Sequence, residues 1–371
     1  MPDFHVDPYK VEGVVDYEQF AKNSGLKLID SELEARLRKY AGELPFLIRR
    51  RIFYAHRELD WILDQYEKGN KFYIYTGRAP SEEMHIGHLL PFVMAKWLQE
   101  RFQAEVYIQI PDEEKFLAKE GYTLEGIRSV AMDNILDIIA MGFKPKLTKI
   151  FFDTDYAKTM YRQAVRVAKH ITFSTVKDAF GFGNDANIGK IFYTSMQAVP
   201  AFMKSVEAGH NVPCLIPLAI DQDVHFRIAR DVIGKLGHYK PAIIHTKFLP
   251  GLNGDSKMSS SIGDNAIYLT DSEEEVARKI GGALTGQQAT AALQRKLGGN
   301  PDRCVVCQYY NYFFEPDDNK LKAIFDAERG GTMLAGEHKA HLAETINKYL
   351  NKHRAKRAKA AEKLDSFMLR D

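Results

Sequence analysis

Cysteine is scarce in this sequence, and its scarcity excludes several kinds of protein. Only Cys214, Cys304 and Cys307 occur among 371 residues, which is too few for a disulfide framework. Cys304 and Cys307 form a single C-x-x-C motif, but tetrahedral zinc needs four ligands, and a second cysteine pair is missing. We therefore expect no protein-bound structural metal. A packing role for these two residues is favoured over a local disulfide or a redox role.

Long apolar runs and an excess of charge are also missing. No stretch approaches the length of about 20 apolar residues that a membrane span needs, and "MPDFHVDPYKVEG" (1–13) has no apolar core like that of a signal peptide. We therefore expect a cytoplasmic protein with no membrane partner. The net charge of +2 says little about nucleic acid, although positive charge is concentrated in "NKHRAKRAKAAEK" (351–363). Such a run is usually a solvated helix face.

The spacing of apolar residues predicts an α/β fold. The short runs that indicate buried strands are "KFYIYTG" (71–77), "AEVYIQI" (104–110), "VPCLIPLAI" (212–220) and "PAIIHTKFL" (241–249). A helical pattern separates the first two runs, which gives the β–α–β unit of a parallel, doubly wound sheet. In such sheets, ligands bind where strands end and helices begin.

The same patterns divide the chain into three parts. Residues 1–70 are mixed, with a hairpin at "FHVDPYKVEGVVDY" (4–17) followed by helices. Residues 71–281 are predicted to form a Rossmann-like parallel sheet that is split by a helical connective insertion at about 121–211. Residues 282–371 have a helical pattern to the end, so we predict an all-helical C-terminal domain.

The stretch "APSEEMHIGHLLPF" (79–92) places His85, Gly87 and His88 between a loop and an apolar helix. Two histidines could hold a metal, but no carboxylate has a matching spacing on this helix. A phosphate site explains more, because helix N-termini offer unpaired N–H groups, imidazoles can donate to phosphate oxygens, and glycine lets a ligand approach the backbone. Two incidental histidines are the alternative on this stretch alone.

A second candidate for phosphate chemistry is "GLNGDSKMSSS" (251–261), a Gly- and Ser-rich loop that contains one lysine, Lys257. A lysine on a mobile loop suits a pyrophosphate that must be held in the transition state and then released. A solvated serine-rich loop is the alternative.

In this order, "HIGH" and "KMSSS" resemble the two signature motifs of the class I aminoacyl-tRNA synthetases. The sequence around them resembles the tryptophanyl-tRNA synthetases of the archaeal and eukaryotic type. The other stretches that carry this resemblance are "VDPYKV" (6–11), "YTGRAPSEEMHIGHLLPF" (75–92), "IQIPDEEKFL" (108–117), "GFGNDANIGKIFYTSMQAVPAF" (181–202), "CLIPLAIDQDVHFR" (214–227) and "GGTMLAGEHK" (330–339). Together they span nearly the whole chain.

The resemblance implies a ligase that forms a homodimer and uses L-tryptophan, ATP with Mg²⁺, and tRNA(Trp). Tryptophan is activated to tryptophanyl-adenylate with release of pyrophosphate, and is then transferred to the 3'-terminal adenosine of the tRNA. The catalytic residues that the resemblance implies are His85, His88, Lys257 and Arg78. The ATP-binding residues that it implies are Gly77, Arg78, His85, Gly87, His88, Lys257, Met258, Ser259 and Ser260.

The choice of amino acid can be argued from hydrogen-bonding chemistry. The indole N–H is only a donor, so a tryptophan pocket needs a buried acceptor. Tyrosyl enzymes of this architecture typically place an aspartate after the "MQ" motif, whereas "MQAVPAF" (196–202) contains no acid, which favours indole. The pocket residues that the resemblance implies are Tyr75 and Gln109 for the indole N–H, Glu114, Gln197 and Gln222 for the α-amino group, and Lys115 for the carboxylate.

Some of these positions have simpler interpretations. Tyr75 could be a core residue at the end of a strand, and Glu114 and Lys115 could form a solvated helix start. Ala79 departs from the family pattern, because relatives often carry glycine there. A positive φ at this position would strain the backbone.

The C-terminal third is predicted to contact tRNA. "YYNYFFEPDDNKL" (309–321) resembles the family's anticodon-binding segment, which implies contacts by Asp317, Asp318 and Lys320. Residues 352–359 could meet tRNA phosphates. Three other functions stay open at this point, namely a tyrosyl-tRNA synthetase, a small-molecule nucleotidyltransferase and an RNA-binding paralogue without catalysis.

Overall fold

One mixed β-sheet forms the centre of the fold. The computed structural model describes residues 4–6, 11–80, 82–259 and 263–371. The strands in these residues are β1 (His5–Val6), β2 (Val11–Glu12), β3 (Lys27–Leu28), β4 (Phe53–Arg57), β5 (Tyr73–Gly77), β6 (Val106–Ile110), β7 (Thr148–Phe152), β8 (Cys214–Ala219) and β9 (Ala242–Thr246). β1 and β2 form a separate two-stranded sheet, and the other seven form the central sheet in the order β3-β4-β9-β8-β5-β6-β7.

Five adjacent strands of the central sheet, from β9 to β7, run parallel to one another. Along the chain, β5 is followed by β6 and β7 on one side, whereas β8 and β9 are added on the other side. The strand order therefore reverses between β5 and β8. Ligands of doubly wound sheets bind outside the carboxyl ends of the strands at such a switch point. The predicted Rossmann-like parallel sheet is confirmed.

The N-terminal segment contributes to the central sheet, which was not predicted from the sequence. The expected hairpin is present as the antiparallel pair β1 and β2. In addition, β4 pairs antiparallel with β9, and β3 pairs antiparallel with β4. These antiparallel pairs make the central sheet mixed. β4 also covers the edge of β9, whose backbone groups would otherwise be unpaired.

Helices account for most of the remaining structure. They are α1 (Tyr17–Asn23), α2 (Ser31–Ala41), α3 (Phe46–Arg49), α4 (Leu59–Glu67), α5 (Leu89–Phe102), α6 (Asp112–Ala118), α7 (Leu124–Ala140), α8 (Ala157–Ala168), α9 (Phe173–Phe180), α10 (Ile188–Ala198), α11 (Pro200–Ala208), α12 (Asp223–Lys235), α13 (Glu273–Gly282), α14 (Ala291–Leu297), α15 (Val305–Tyr309), α16 (Asp318–Arg329) and α17 (Ala335–Ala360). Among the described residues, none of the helices has the length and apolar character needed to cross a bilayer.

The prediction that residues 121–211 form a helical insertion is wrong in one respect. It contains β7, which pairs parallel with β6 at the edge of the central sheet. α7 therefore acts as the crossover between β6 and β7, and the helices that lie off the sheet begin at α8. Periodicity missed β7 because "TKIFF" is a five-residue run, too short for a clear period between two long helical patterns.

The C-terminal third is helical but shares its core with the sheet. Residues 282–371 contain no strand and only one isolated bridge, between Met368 and Ile150. On α17, Leu342, Ile346 and Leu350 form an apolar stripe that is fully buried. It belongs to the same hydrophobic cluster as strand residues of the sheet. The helical character is thus confirmed, while the domain boundary at 282 stays a prediction, because the apolar core continues across it.

Candidate active site

A cavity of about 280 Å³ lies at the carboxyl ends of β5, β6 and β8, where the strand order reverses. The predicted residues that line it are Tyr75, Gly77, Arg78, His85, Gly87, His88, Gln109, Glu114, Lys115, Gln197, Gln222, Lys257 and Met258. Ser259 does not line the cavity, and Ser260 lies outside the described residues. The structure therefore brings both signature motifs and the whole predicted amino-acid pocket to one place.

The "HIGH" stretch forms a single 3₁₀ turn, Ile86–His88, that leads into α5. The rings of His85 and His88 stack with their centroids 3.5 Å apart. The backbone N–H of His85 donates to Nδ1 of His88 at 3.2 Å, so the proton of His88 lies on Nε2, which can donate to a ligand. Nδ1 of His85 is buried and has no partner among the described residues. Pro91 falls in the first turn of α5, where its missing N–H breaks no helical hydrogen bond.

Burial keeps both imidazoles neutral. Burial, together with the charge of Arg78, lowers the pKa of His85 to about 3 and shifts the pKa of His88 well below its ordinary value. A neutral imidazole still donates one hydrogen bond. The histidines can therefore bind phosphate oxygens as donors, but they bring no positive charge to the site.

Two glycines are required by close packing in the site. A Cβ on Gly87 would lie 3.1 Å from the ring of His85 and 3.6 Å from the Cβ of Met258. A Cβ on Gly77 would lie 2.9 Å from the backbone oxygen of Gln109. Ala79 does not have a positive φ. The expected backbone strain at Ala79 is therefore absent.

Arg78 and Lys257 bring positive charge to the phosphate end of the cavity, which Lys115 and Lys247 also line. Arg78 is half-buried, and its partial removal from water lowers its pKa to about 10, which leaves it cationic at neutral pH. Its Nη1 donates to the backbone oxygen of Ala79 at 2.8 Å, and its Nε has no partner in the part of the chain that the structure describes. Lys257 Nζ donates to Asp221 Oδ2 at 2.6 Å. Asp221 was not predicted from the sequence, although it directly precedes the predicted Gln222.

A chain of hydrogen bonds crosses the inner end of the cavity. Tyr193 donates to Gln197, Gln197 Nε2 donates to the Tyr75 hydroxyl at 2.9 Å, and Tyr75 donates to Gln109 Oε1. Gln109 Nε2 donates to Asp153 Oδ2 at 2.7 Å. Tyr75 is thus part of a polar network and not merely a core residue. Tyr193 and Asp153 were not predicted, because only the fold brings them to this network.

The outer part of the amino-acid pocket is polar and charged. Glu114 and Lys115 form an ion pair of 2.9 Å in α6, and their side chains are only 14% and 20% exposed. They are therefore not a solvated helix start. Gln222 ends the 3₁₀ turn Ile220–Gln222 after β8 and lines the same cavity.

The segment that follows Gln197 is apolar, as the sequence indicated, but it packs behind the cavity and does not line it. Ala198, Val199, Ala201 and Phe202 are all buried, each at most 1% exposed. The first acid after this segment is Glu207, which accepts a hydrogen bond of 2.6 Å from Tyr107 and does not line the cavity. No carboxylate from residues 198–207 therefore reaches the cavity.

The predicted tRNA contacts lie away from the cavity and make contacts within the chain. The Asp317 carboxylate caps α16 by accepting from the backbone N–H groups of Asn319 and Lys320. Asp318 accepts from Nε of Arg49 at 2.9 Å and of Arg50 at 2.8 Å. These contacts give both acids a structural role, which does not depend on tRNA.

The cysteine pair, Cys304 and Cys307, also lies outside the cavity. A zinc site was rejected because a second cysteine pair is missing, and that reason does not hold. Glu328 and His338 are two further candidate ligands, and one ligand atom from each of the four side chains lies within 4.8 Å of the others. A second cysteine pair was expected to be necessary, whereas the fold supplies a carboxylate and an imidazole from later helices.

Comparison with known proteins places the chain in a family. The family described as "tRNA synthetases class I (W and Y)" matches residues 67–351, which is more than half of the chain. The chain belongs to this family, and the resemblance inferred from "HIGH" and "KMSSS" is confirmed. Two curated relatives are the tryptophan–tRNA ligases of Saccharolobus solfataricus, 48% identical over 99% of this chain and 96% of the relative, and of Thermococcus onnurineus, 47% identical over 99% and 94%.

Solved structures agree with the family. A tryptophanyl-tRNA synthetase of Plasmodium falciparum is 39% identical, with a TM-score of 0.88 over 93% of this chain and 94% of that one. The tryptophanyl-tRNA synthetase of Aeropyrum pernix is 31% identical, with a TM-score of 0.89 over 96% and 97%. The structural similarity therefore extends over nearly the whole of this chain and of each solved structure.

Proposed function

We propose that this chain is a tryptophan–tRNA ligase. In the first step, the carboxylate of L-tryptophan attacks the α-phosphorus of ATP, which enters with Mg²⁺, and pyrophosphate leaves. In the second step, the tryptophanyl group passes from AMP to the 3'-terminal adenosine of tRNA(Trp). The observation that carries the proposal is the cavity at the switch point, which joins phosphate-binding donors to a pocket with an apolar wall and buried acceptors.

The phosphate end of the cavity has the groups that this chemistry needs. Transfer to the α-phosphorus depends on positioning and on stabilisation of negative charge more than on a general base. The neutral rings of His85 and His88 would donate hydrogen bonds, and Arg78 and Lys257 would supply positive charge. The unpartnered atoms Nδ1 of His85 and Nε of Arg78 are buried in this region, where a ligand would satisfy them. Of the ATP-binding residues that the family implies, Gly77, Gly87 and Met258 would shape the adenosine side.

Lys257 would change partner during the reaction. In the structure it pairs with Asp221 at 2.6 Å, so its ammonium group is held beside the cavity before ATP arrives. Pyrophosphate carries more negative charge than one carboxylate and would compete for the lysine as charge develops. Ser259 and Ser260 would follow Lys257 as its loop closes on the phosphates.

The inner end of the cavity would select tryptophan. Gln109 Oε1 and the Tyr75 oxygen are buried acceptors within the hydrogen-bonded chain, and an oxygen of this kind keeps a lone pair for the indole N–H. Tyrosine would place a hydroxyl in a pocket that receives no carboxylate from the segment after Gln197. Glu114, Gln197 and Gln222 would hold the α-amino group, and Lys115 the carboxylate. Every amino acid carries these two groups, so selection would come from the inner acceptors, which a side chain without a suitable donor would leave unpaired.

The remaining parts of the chain have proposed roles in tRNA binding and assembly. The helical C-terminal third would bind the anticodon, with Asp317, Asp318 and Lys320 near the contact and residues 352–359 near phosphates. The helical insertion would form the interface of a homodimer. The enzyme would work in the cytoplasm, and no membrane partner is proposed.

The decisive experiment is ATP–pyrophosphate exchange with the purified chain. We expect exchange with L-tryptophan and an exchange rate with L-tyrosine that is lower by a factor of at least about 10³, because the pocket is built around a donor-only ring. Exchange with tyrosine in place of tryptophan would favour a tyrosyl enzyme. An absence of exchange with both amino acids would favour the non-catalytic alternative.

A further inference from the structure

Four side chains with metal-binding chemistry meet in the C-terminal third. They are Cys304, Cys307, Glu328 and His338, and one ligand atom from each lies within 4.8 Å of the others. Each of the four residues is at most 1% exposed. Charged and polar groups that are withdrawn from water to this extent need partners, because an unpaired group keeps its full desolvation cost.

Three separate elements bring these side chains together. Cys304 directly precedes α15, and Cys307 lies within it. Glu328 lies in the last turn of α16, and His338 lies in the first turns of α17. The turn after α14 holds Glu328 in place, since the backbone N–H of Gly299 donates to the Glu328 carbonyl at 2.8 Å. The meeting point is therefore fixed by the fold and not by one flexible loop.

The hydrogen bonds of the cluster are incomplete. Within the described ranges of the chain, neither ring nitrogen of His338 has a hydrogen-bond partner, and Oε1 of Glu328 has none. Nδ1 of His338 lies 3.4 Å from Oε2 of Glu328, which is too long for a good hydrogen bond. Oε2 instead accepts from Nε2 of Gln287 at 2.7 Å, and this bond orients the carboxylate in the way that metal-binding carboxylates are usually held.

Both cysteine sulfurs lie at the cluster, within 4.8 Å of the ligand atoms of Glu328 and His338. Cysteine binds metals as the thiolate. A bound cation would therefore displace the thiol protons, because ligation couples to deprotonation.

The ligand set selects among cations. Hard ions such as Mg²⁺ and Ca²⁺ take oxygen ligands, and Cu(I) prefers sulfur without a carboxylate. Two sulfurs, one imidazole nitrogen and one carboxylate oxygen suit Zn²⁺, whose tetrahedral bonds of about 2.0–2.3 Å put ligand atoms about 3.3–3.8 Å apart. The limit of 4.8 Å means that the side chains need only small movements to reach this spacing.

We propose that Cys304, Cys307, Glu328 and His338 bind one zinc ion. The site is closed, because four protein side chains fill a tetrahedral coordination sphere and leave no position for a substrate, so its role is structural. The ion would join the start of α15, the end of α16 and the start of α17. None of the four residues lines the candidate active site, so the proposal stands independently of the proposed ligase activity.

The first test measures zinc in the full-length chain. Protein made in zinc-containing medium and purified without chelator should hold about one zinc per chain by mass spectrometry of the element. Cys304→Ser and Cys307→Ser should each lose most of it, whereas Cys214→Ala, which changes the third cysteine on β8, should keep it. Less than about a tenth of an equivalent in the unmodified chain would overturn the proposal. Zinc that stays in a Cys304→Ser/Cys307→Ser double variant would do the same.

The second test uses the unmodified protein, so that it does not depend on the folding of variants. A mercurial reagent that attacks thiolates should release zinc into a chromogenic dye in proportion to the chains present. Replacement by Co²⁺ should give a sulfur-to-cobalt charge-transfer band and the intense visible bands of a tetrahedral site. A Cys304–Cys307 disulfide in intact-mass analysis of the freshly purified chain would show that the pair serves redox chemistry, and the zinc proposal would be wrong.

Discussion

The two ends of the cavity are built on different principles. At the inner end, Tyr75, Gln109 and Gln197 are already bonded to one another, and the chain continues to Asp153. At the phosphate end, buried nitrogens of His85 and Arg78 lack partners among the described residues. The first end is complete before the amino acid arrives, which favours discrimination by shape and by fixed acceptors. The second end is incomplete without ligand, which suits charge that appears only during the reaction.

Lys257→Ala breaks the phosphate end and should have the largest effect. Tryptophan-dependent exchange should fall by about 10²–10³, because a cation that acts on the transition state is lost. The Kd for tryptophan, measured by calorimetry without ATP, should change by less than about threefold, since Lys257 serves the other end. Lys235→Ala, an exposed lysine of α12, is the matched control. Equal losses in exchange and in tryptophan binding would contradict the assignment of Lys257 to the phosphate end of the cavity.

Tyr75→Phe breaks the inner end. Removal of one hydroxyl leaves Gln197 Nε2 without its acceptor and Gln109 Oε1 without its donor, a cost of about 1–3 kcal/mol for buried groups. We expect kcat/KM for tryptophan to fall by about 10-fold to 100-fold, with the KM for ATP nearly unchanged. Exchange rates measured at varied tryptophan and at varied ATP give these two parameters separately. A rise confined to the KM for ATP would contradict the prediction, because it would place Tyr75 at the phosphate end.

The pH dependence of stability tests whether His85, at the phosphate end, is neutral. The expected effect is smaller than those of the two variants above. The folded pKa of His85 is about 3 against an ordinary value of 6.5, so between these values the unfolded chain binds a proton that the folded chain does not. Stability therefore falls as the pH drops through this window. His85→Gln removes this contribution. We compare the free energy of unfolding of His85→Gln with that of the unmodified chain. The variant should gain about 1–2 kcal/mol on the unmodified chain when the pH is lowered from about 7.5 to about 5.

Urea titrations at the two pH values measure this difference. Exchange kinetics give a second check, because a neutral His85 should produce no inflection of kcat/KM near its ordinary pKa. An inflection there that disappears in His85→Gln would show a titrating imidazole at the phosphate end. The control is His210→Gln, which changes an exposed histidine after α11.

The parts of the site that are local in the chain could be predicted from the sequence. The "HIGH" turn and Lys257 stand in short stretches whose chemistry indicates a phosphate site, whereas the pocket residues from Tyr75 to Gln222 were implied by the resemblance to the family. Asp221 was missed because its importance lies in pairing with Lys257, and a spacing of residues does not predict that contact. Asp153 was missed for the same reason, since it follows β7, the strand that periodicity did not detect.

The cysteine pair shows a second limit of prediction from sequence. Cys304 and Cys307 were noticed by their spacing, but Glu328 and His338 come from other helices at unrelated distances along the chain. Similarly, the aromatic segment at 309–314 lies in the stretch that resembles the anticodon-binding segment of the family, and its Tyr309, Tyr310 and Tyr312 are buried in the core. Helical spacing of aromatic residues does not show which side of a helix the rest of the fold will cover.

The continuous core between the sheet and the C-terminal helices has a practical consequence for dissecting this protein. α17 packs on α7 and α13, and His353 on α17 bonds to Asp137 on α7 at 2.9 Å. A truncated chain that stopped near residue 281 would expose the apolar face that Leu342, Ile346 and Leu350 cover. The half that holds the cavity would then be prone to aggregation. The C-terminal helices are therefore part of the minimal unit that can be purified with an intact cavity.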